Sequence, residues 1–107
     1  TLDGTLFPYT TLFRSSLRDA DSMELLARVY GLMAERGTRI LNIDSVVICE
    51  LPKIAPHVGA IKAKISRALG GLPVERIGVK GKTSEGMGFT GRREGIAAQA
   101  VALVRLD

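Results

Sequence analysis

Three groups of residues in this chain could handle phosphate, a nucleotide or a metal. Gly81-Lys82-Thr83 has the ending of a phosphate-binding loop, in which backbone amides cradle phosphate oxygens and a lysine neutralises them. Arg76 stands where that motif needs its first glycine, so the cradle is not expected to form. Gly86-Met87-Gly88-Phe89-Thr90-Gly91 has the glycine spacing of a dinucleotide-binding turn. That use requires a strand directly before it, a helix after it and an acidic residue about 20 positions further on, which falls past Asp107. Both stretches therefore read as tightly turning loop. Cys49, next to an aliphatic run, reads as a small core residue rather than a nucleophile. His57 is the only histidine; alone it cannot supply the ligand set of a zinc site, and it reads as a capping or surface residue.

The amino terminus offers a fourth motif, Asp3-Gly4-Thr5-Leu6, which resembles part of the D-x-D-G-T-L motif of haloacid dehalogenase-like phosphohydrolases. The attacking aspartate's position is Thr1, a hydroxyl with no adjacent base, and no apolar strand precedes it. Thr5 to Ser15 instead resembles, residue for residue, one reading frame of a common sequencing adapter, and it lacks helical or alternating periodicity. Residues 1–15 are thus expected to be a foreign segment outside the fold, with residues 16–107 forming the domain.

The elements that must position the remaining motifs are legible from caps and periodicity. A chain of 107 residues with net charge +4 holds one domain at most, near the lower end for a self-sufficient core. The positive excess suits an anionic partner, either nucleic acid or a phosphorylated small molecule. Aromatic residues are too few beyond the first segment to make a base-stacking surface. One cysteine excludes an internal disulfide, and with no signal-peptide pattern the expected compartment is the cytoplasm.

Asp21-Ser22-Met23-Glu24 reads as a capping box opening a helix whose stripe is Leu25, Leu26, Val29, Leu32 and Met33, stopped by Gly37. Ile40 to Ile48 is rich in β-branched residues and reads as a mostly buried strand. Pro56 opens a second helix with stripe Val58, Ile61, Ile65, Ala68 and Leu69, ended by Gly70-Gly71 and leaving Lys62, Lys64 and Arg67 toward water. Arg76–Lys80 reads as a short strand, residues 81–92 as loop, and Ile96–Leu106 as a strand in preference to a helix. The expected fold class is α/β, more narrowly an α+β layer with helices on one face of a mixed sheet. That sheet draws on strands or subunits beyond those seen here.

Together, "ADSMELL", "NID" followed by "LPKIAPH", and "VKGKTSEGMGFTGRREGIAAQAVALV" resemble the 2-C-methyl-D-erythritol 2,4-cyclodiphosphate synthase family, from about Leu17 onward and over roughly the carboxy-terminal three-fifths of a member. The resemblance implies a cytoplasmic homotrimeric lyase of non-mevalonate isoprenoid biosynthesis, with active sites between subunits. In that family the 2-phosphate of a cytidine-diphosphate-linked methylerythritol attacks the β-phosphorus and expels CMP, assisted by zinc and a magnesium-type ion (magnesium or manganese).

Carried over position by position, the resemblance puts Cys49, Glu50, Leu51, Pro52, Lys53, Ile54 and Ala55 on the cytidine loop, where backbone groups read the base and the lysine borders it. It puts Gly81, Lys82 and Thr83 on the stretch contacting base and phosphates, and Glu85 on the magnesium carboxylate. Phe89 and Arg92 complete the substrate-binding set, with Arg92 and Glu94 on the segment lining the trimer axis, where an anionic isoprenoid ligand is associated with the family. The zinc ligands, an Asp-x-His and a later His, fall in a part of the family sequence without counterpart here, as does a glycine-flanked Asp that holds the methylerythritol. The chain by itself is therefore expected to lack synthase activity. Two other classes are a small RNA-binding module, using Lys62, Lys64, Arg67 and the Gly88-Phe89-Thr90-Gly91 turn, and an inactive trimeric scaffold.

Overall fold

The computed structural model describes residues 21–106; the adapter-like segment 1–15 lies outside them. Asp21 opens the first helix as its sequence requires, with Oδ1 accepting from the Met23 amide at 2.8 Å, and α1 runs Ser22–Glu35. Only half of the capping box forms. The Glu24 side chain stays exposed, and the turn is closed instead by the Asp21 carbonyl, which accepts from the amides of Glu24 and Leu25. Gly37, at φ 75, ends the helix in the left-handed conformation that glycine adopts without a Cβ penalty.

Strand β1 spans Thr38–Ile48, beginning two positions before the β-branched run. Pro56 does not start the second helix directly. It sits in a 3-10 turn, Ala55–His57, where a missing N–H costs nothing, and α2 follows as Val58–Ala68. A second 3-10 turn, Val74–Arg76, leads into β2, Ile77–Lys82, which runs two residues past the expected end. The stretch expected to be loop throughout contains a single helical turn, α3, Gly88–Gly91. Strand β3, Ala97–Leu106, bears out the strand reading of the carboxy-terminal run.

The three strands form a mixed sheet in the order β2-β1-β3. β1 is parallel to β2, with Ile43 opposite Ile77 and Ile48 opposite Lys82; it is antiparallel to β3, with Asp44 opposite Val101. Alternation along β2 sends Ile77 and Val79 toward the helices, where they meet Leu69 and Leu72 and are flanked by Ile43, Ile61, Ile65, Leu26 and Tyr30. The helices thus cover one face of β1 and β2, and the architecture is the expected α+β layer.

Two features depart from a closed domain. The α1 stripe does not all face inward, since Leu26 and Tyr30 reach the core while Val29 and Leu32 stand exposed on the neighbouring face. β3 is exposed along nearly its whole length, with Val101 at 71 % and Leu106 at 78 %. An apolar edge strand of this length invites association. Among the described residues, no helix is long and apolar enough to cross a membrane.

Candidate functional site

The parallel pairing of β1 and β2 brings the ends of both strands to one edge of the sheet, which is where ligands bind in open α/β sheets. The segment leaving β1, from Cys49 onward, meets the segment leaving β2, Gly81 to Thr83. The Cys49 amide donates to the Lys82 carbonyl at 3.0 Å, extending the ladder by one step beyond the last paired residues. The Cys49 thiol is buried and donates to the Pro52 carbonyl at 3.5 Å, while the Leu51-Pro52 peptide is cis. Cys49 is therefore a structural residue, in keeping with the core reading.

Between the two segments lies a cavity of about 180 Å³ lined by Cys49, Glu50, Pro52, Lys53, Ile54, Ala55, Gly81, Lys82 and Thr83. The size is below the roughly 300–1,000 Å³ of drug-sized ligand sites and matches one heterocycle with the rest of a ligand outside. Nine of the residues singled out in the sequence converge here. Among the described residues, no hydrogen bond or ion pair engages the side-chain ammonium of Lys53 or Lys82. Two unneutralised cations beside a small cavity favour an anionic ligand with a flat head group.

The remaining singled-out residues lie around rather than in the cavity. Leu51 is about half exposed on the rim. Phe89 is exposed on α3, its ring against Gly95. Arg92 forms a paired-oxygen bridge to Glu94, Nε to Oε2 at 3.0 Å and Nη2 to Oε1 at 3.1 Å. Glu85 follows Thr83 by two residues, exposed, and among the described residues nothing binds its carboxylate. A lone exposed carboxylate beside lysines fits a magnesium-type ion held chiefly by phosphate oxygens of a ligand. It does not fit a zinc site: no cluster of three His, Cys, Asp or Glu side chains occurs among the described residues, and His57 is exposed at the end of its 3-10 turn without a side-chain cap bond.

The glycine motifs resolve as turn chemistry. An ideal Cβ on Gly91 would fall onto the Gly86 carbonyl carbon, so the loop closes back on itself only because Gly91 has no side chain. Gly81 is required for a similar reason, since a Cβ there would lie 2.6 Å from Cβ of Ile54 across the cavity neck. Gly81→Ala is expected to cost about 1–3 kcal/mol of stability, the usual range for overpacking, and to lower the melting temperature. An unchanged melting temperature would show that the Ile54 segment yields freely.

Sequence reasoning missed Ser84 and Thr90. Thr90 is buried at 6 % exposure with its hydroxyl hydrogen-bonded to that of Ser84, pinning the turn to α3. The only signal was two hydroxyl residues flanking a glycine-rich turn, which is too common to single out.

A profile of the YgbB family matches residues 3–105, a stretch that takes in most of the adapter-like segment. The chain is 48% identical over 101 residues to 2-C-methyl-D-erythritol 2,4-cyclodiphosphate synthase of Symbiobacterium thermophilum, covering 94% of this chain and 62% of that protein. Its fold is similar to the bifunctional IspDF of Campylobacter jejuni, with TM-score 0.82 and 35% identity over 97% of this chain and 27% of the other. It is also similar to a CDP complex of IspF from Plasmodium falciparum, with TM-score 0.75 and 30% identity over 90% of this chain and 57% of the other. The chain spans about three-fifths of the length of the synthases it matches.

Proposed function

Since the chain belongs to the YgbB family, the family of 2-C-methyl-D-erythritol 2,4-cyclodiphosphate synthases, we propose that residues 16–107 supply the cytidine-nucleotide part of such an enzyme. The substrate is 4-diphosphocytidyl-2-C-methyl-D-erythritol 2-phosphate. An oxygen of its 2-phosphate forms a bond to the β-phosphorus, the bond from that phosphorus to the CMP oxygen breaks, and CMP leaves carrying the electron pair. Such a transfer needs held geometry and charge absorption rather than a covalent nucleophile.

The observation that carries this reading is the meeting of Lys53 and Lys82 with Thr83 around one cavity sized for a base. In this assignment backbone groups of the 49–55 loop face the cytosine. Lys53 borders the base, Lys82 and Thr83 approach the phosphates, and Glu85 holds a magnesium-type ion that offsets charge on the diphosphate oxygens. The assembly is a homotrimer built on the exposed sheet.

Calorimetric titration with CMP tests the reading. The chain should bind CMP saturably, a form lacking residues 1–15 should bind it equally, and Lys53→Ala should weaken binding about tenfold or more, the scale of one hydrogen bond to a charged group. Unaltered affinity in Lys53→Ala would remove that residue from the site, and absence of CMP binding by the chain would remove the reading.

A further inference from the structure

We propose that Glu50 is a positioning residue that locks the cytidine loop to the turn carrying Glu85, so that a nucleotide seated in the cavity is registered at the metal carboxylate. The inference rests on the nucleotide reading above. Glu50 is half-buried at the start of the 49–55 loop, and its carboxylate reaches across to the other segment. Oε2 accepts from the Ser84 amide at 3.3 Å and Oε1 from the Gly86 amide at 3.2 Å. These two donors bracket Glu85, which stands at φ 54, a conformation uncommon outside glycine, asparagine and aspartate. The intervening Glu85 amide leans on Thr83 Oγ1 at 3.4 Å.

Three successive amides thus point at side-chain oxygens from this chain. Successive amides in such a turn form an anion-binding concavity, and Glu50 already fills it. A carboxylate suits the place because it accepts two hydrogen bonds at once through separate oxygens and carries the charge that strengthens both. Two consequences follow. Phosphate recognition near this turn falls to the side chains of Lys82 and Thr83 and to an ion at Glu85, since the amides are taken. And the backbone angle that aims Glu85 depends on a residue of the base-binding loop that lies thirty-four positions before Ser84.

Amide-resolved hydrogen exchange on the full 107-residue chain, with and without CMP, tests this. Without ligand, Glu50→Ala should speed exchange at Ser84 and Gly86 about tenfold or more, as expected for loss of hydrogen bonds to a charged acceptor. Glu50→Gln keeps one acceptor oxygen and should restore protection at one of the two amides. Amides along β1 and β2 should be unchanged in both variants; if Glu50→Ala loses them by unfolding, the Gln variant decides. With CMP at matched occupancy, the wild-type chain should gain protection at Ser84 and Gly86, and Glu50→Ala should gain none there whatever its affinity. Unchanged ligand-free exchange at both amides in a folded variant would overturn the clamp. CMP protection of the turn persisting in Glu50→Ala would overturn the transmission. If CMP does not bind the wild-type chain, the nucleotide reading falls and takes the transmission with it, while ligand-free exchange still decides the clamp.

Discussion

Replacing Glu85 by glutamine, in a chimaera that joins residues 16–107 to the amino-terminal part of the Symbiobacterium thermophilum synthase, will lower turnover about a hundredfold, the scale on which one preorganised electrostatic group acts. The diphosphate crowds negative oxygens into one place, and Glu85 would hold a magnesium-type ion whose charge offsets theirs. The Glu85 carboxylate is exposed and unengaged among the described residues, within a turn held by Glu50 and by the Ser84–Thr90 hydroxyl pair. An amide has nearly the same shape but offers a neutral oxygen. The variant should therefore demand more magnesium for half-maximal rate and keep its affinity for CMP, whereas Lys53→Ala should do the reverse. A Glu85→Gln enzyme with unaltered magnesium demand would make Glu85 an ordinary loop charge.

Introducing a carboxylate at Val101 will abolish self-association. The helix-free face of the sheet carries Val46 and Ile48 from β1 and Val101 from β3, with Gln99 and the Asp44–Lys80 pair beside them. That pair, at 3.8 Å and well exposed, adds little by itself. Apolar area on this face is what an assembly would bury, and Val101 is its most exposed described member at 71 %. In Val101→Asp the charge would be buried unpaired, at a cost of about 3–5 kcal/mol. At about 1.4 kcal/mol per tenfold, that weakens association by about two to three and a half powers of ten. Light scattering should give a trimer for the parent chain and a monomer for the variant; a variant that still forms trimers would place the interface elsewhere.

Local grammar made much of this fold legible. Asp21 before an apolar-periodic run, Gly37 after it, and the β-branched stretch to Ile48 each specify their own conformation through capping, φ and packing on a pleated surface. The facing of α1 was less legible, because Leu25, Leu26, Val29, Leu32 and Met33 span a stripe wide enough for two adjacent faces, and only packing selects Leu26 and Tyr30 for the core. The residues of the cavity are legible only through the family resemblance, and they are gathered because β1 and β2 are parallel neighbours. What no local rule gives is contact between loops. The Gly86–Gly91 approach and the reach of Glu50 to Ser84 and Gly86 join positions whose types alone say only that a turn and a carboxylate exist.

The proposed function puts a cytidine nucleotide in the cavity between the 49–55 loop and the Gly81–Thr83 segment. Amide-resolved nuclear magnetic resonance on the chain, titrated in parallel with CMP and UMP, decides this, because the two ligands differ only at N3 and the C4 substituent of the base. CMP should shift the resonances of residues 49–55 and 81–86 saturably, and UMP should shift them far less. Equal responses to both ligands, or shifts confined to the Lys62, Lys64 and Arg67 face of α2, would mean that this cavity does not select cytidine.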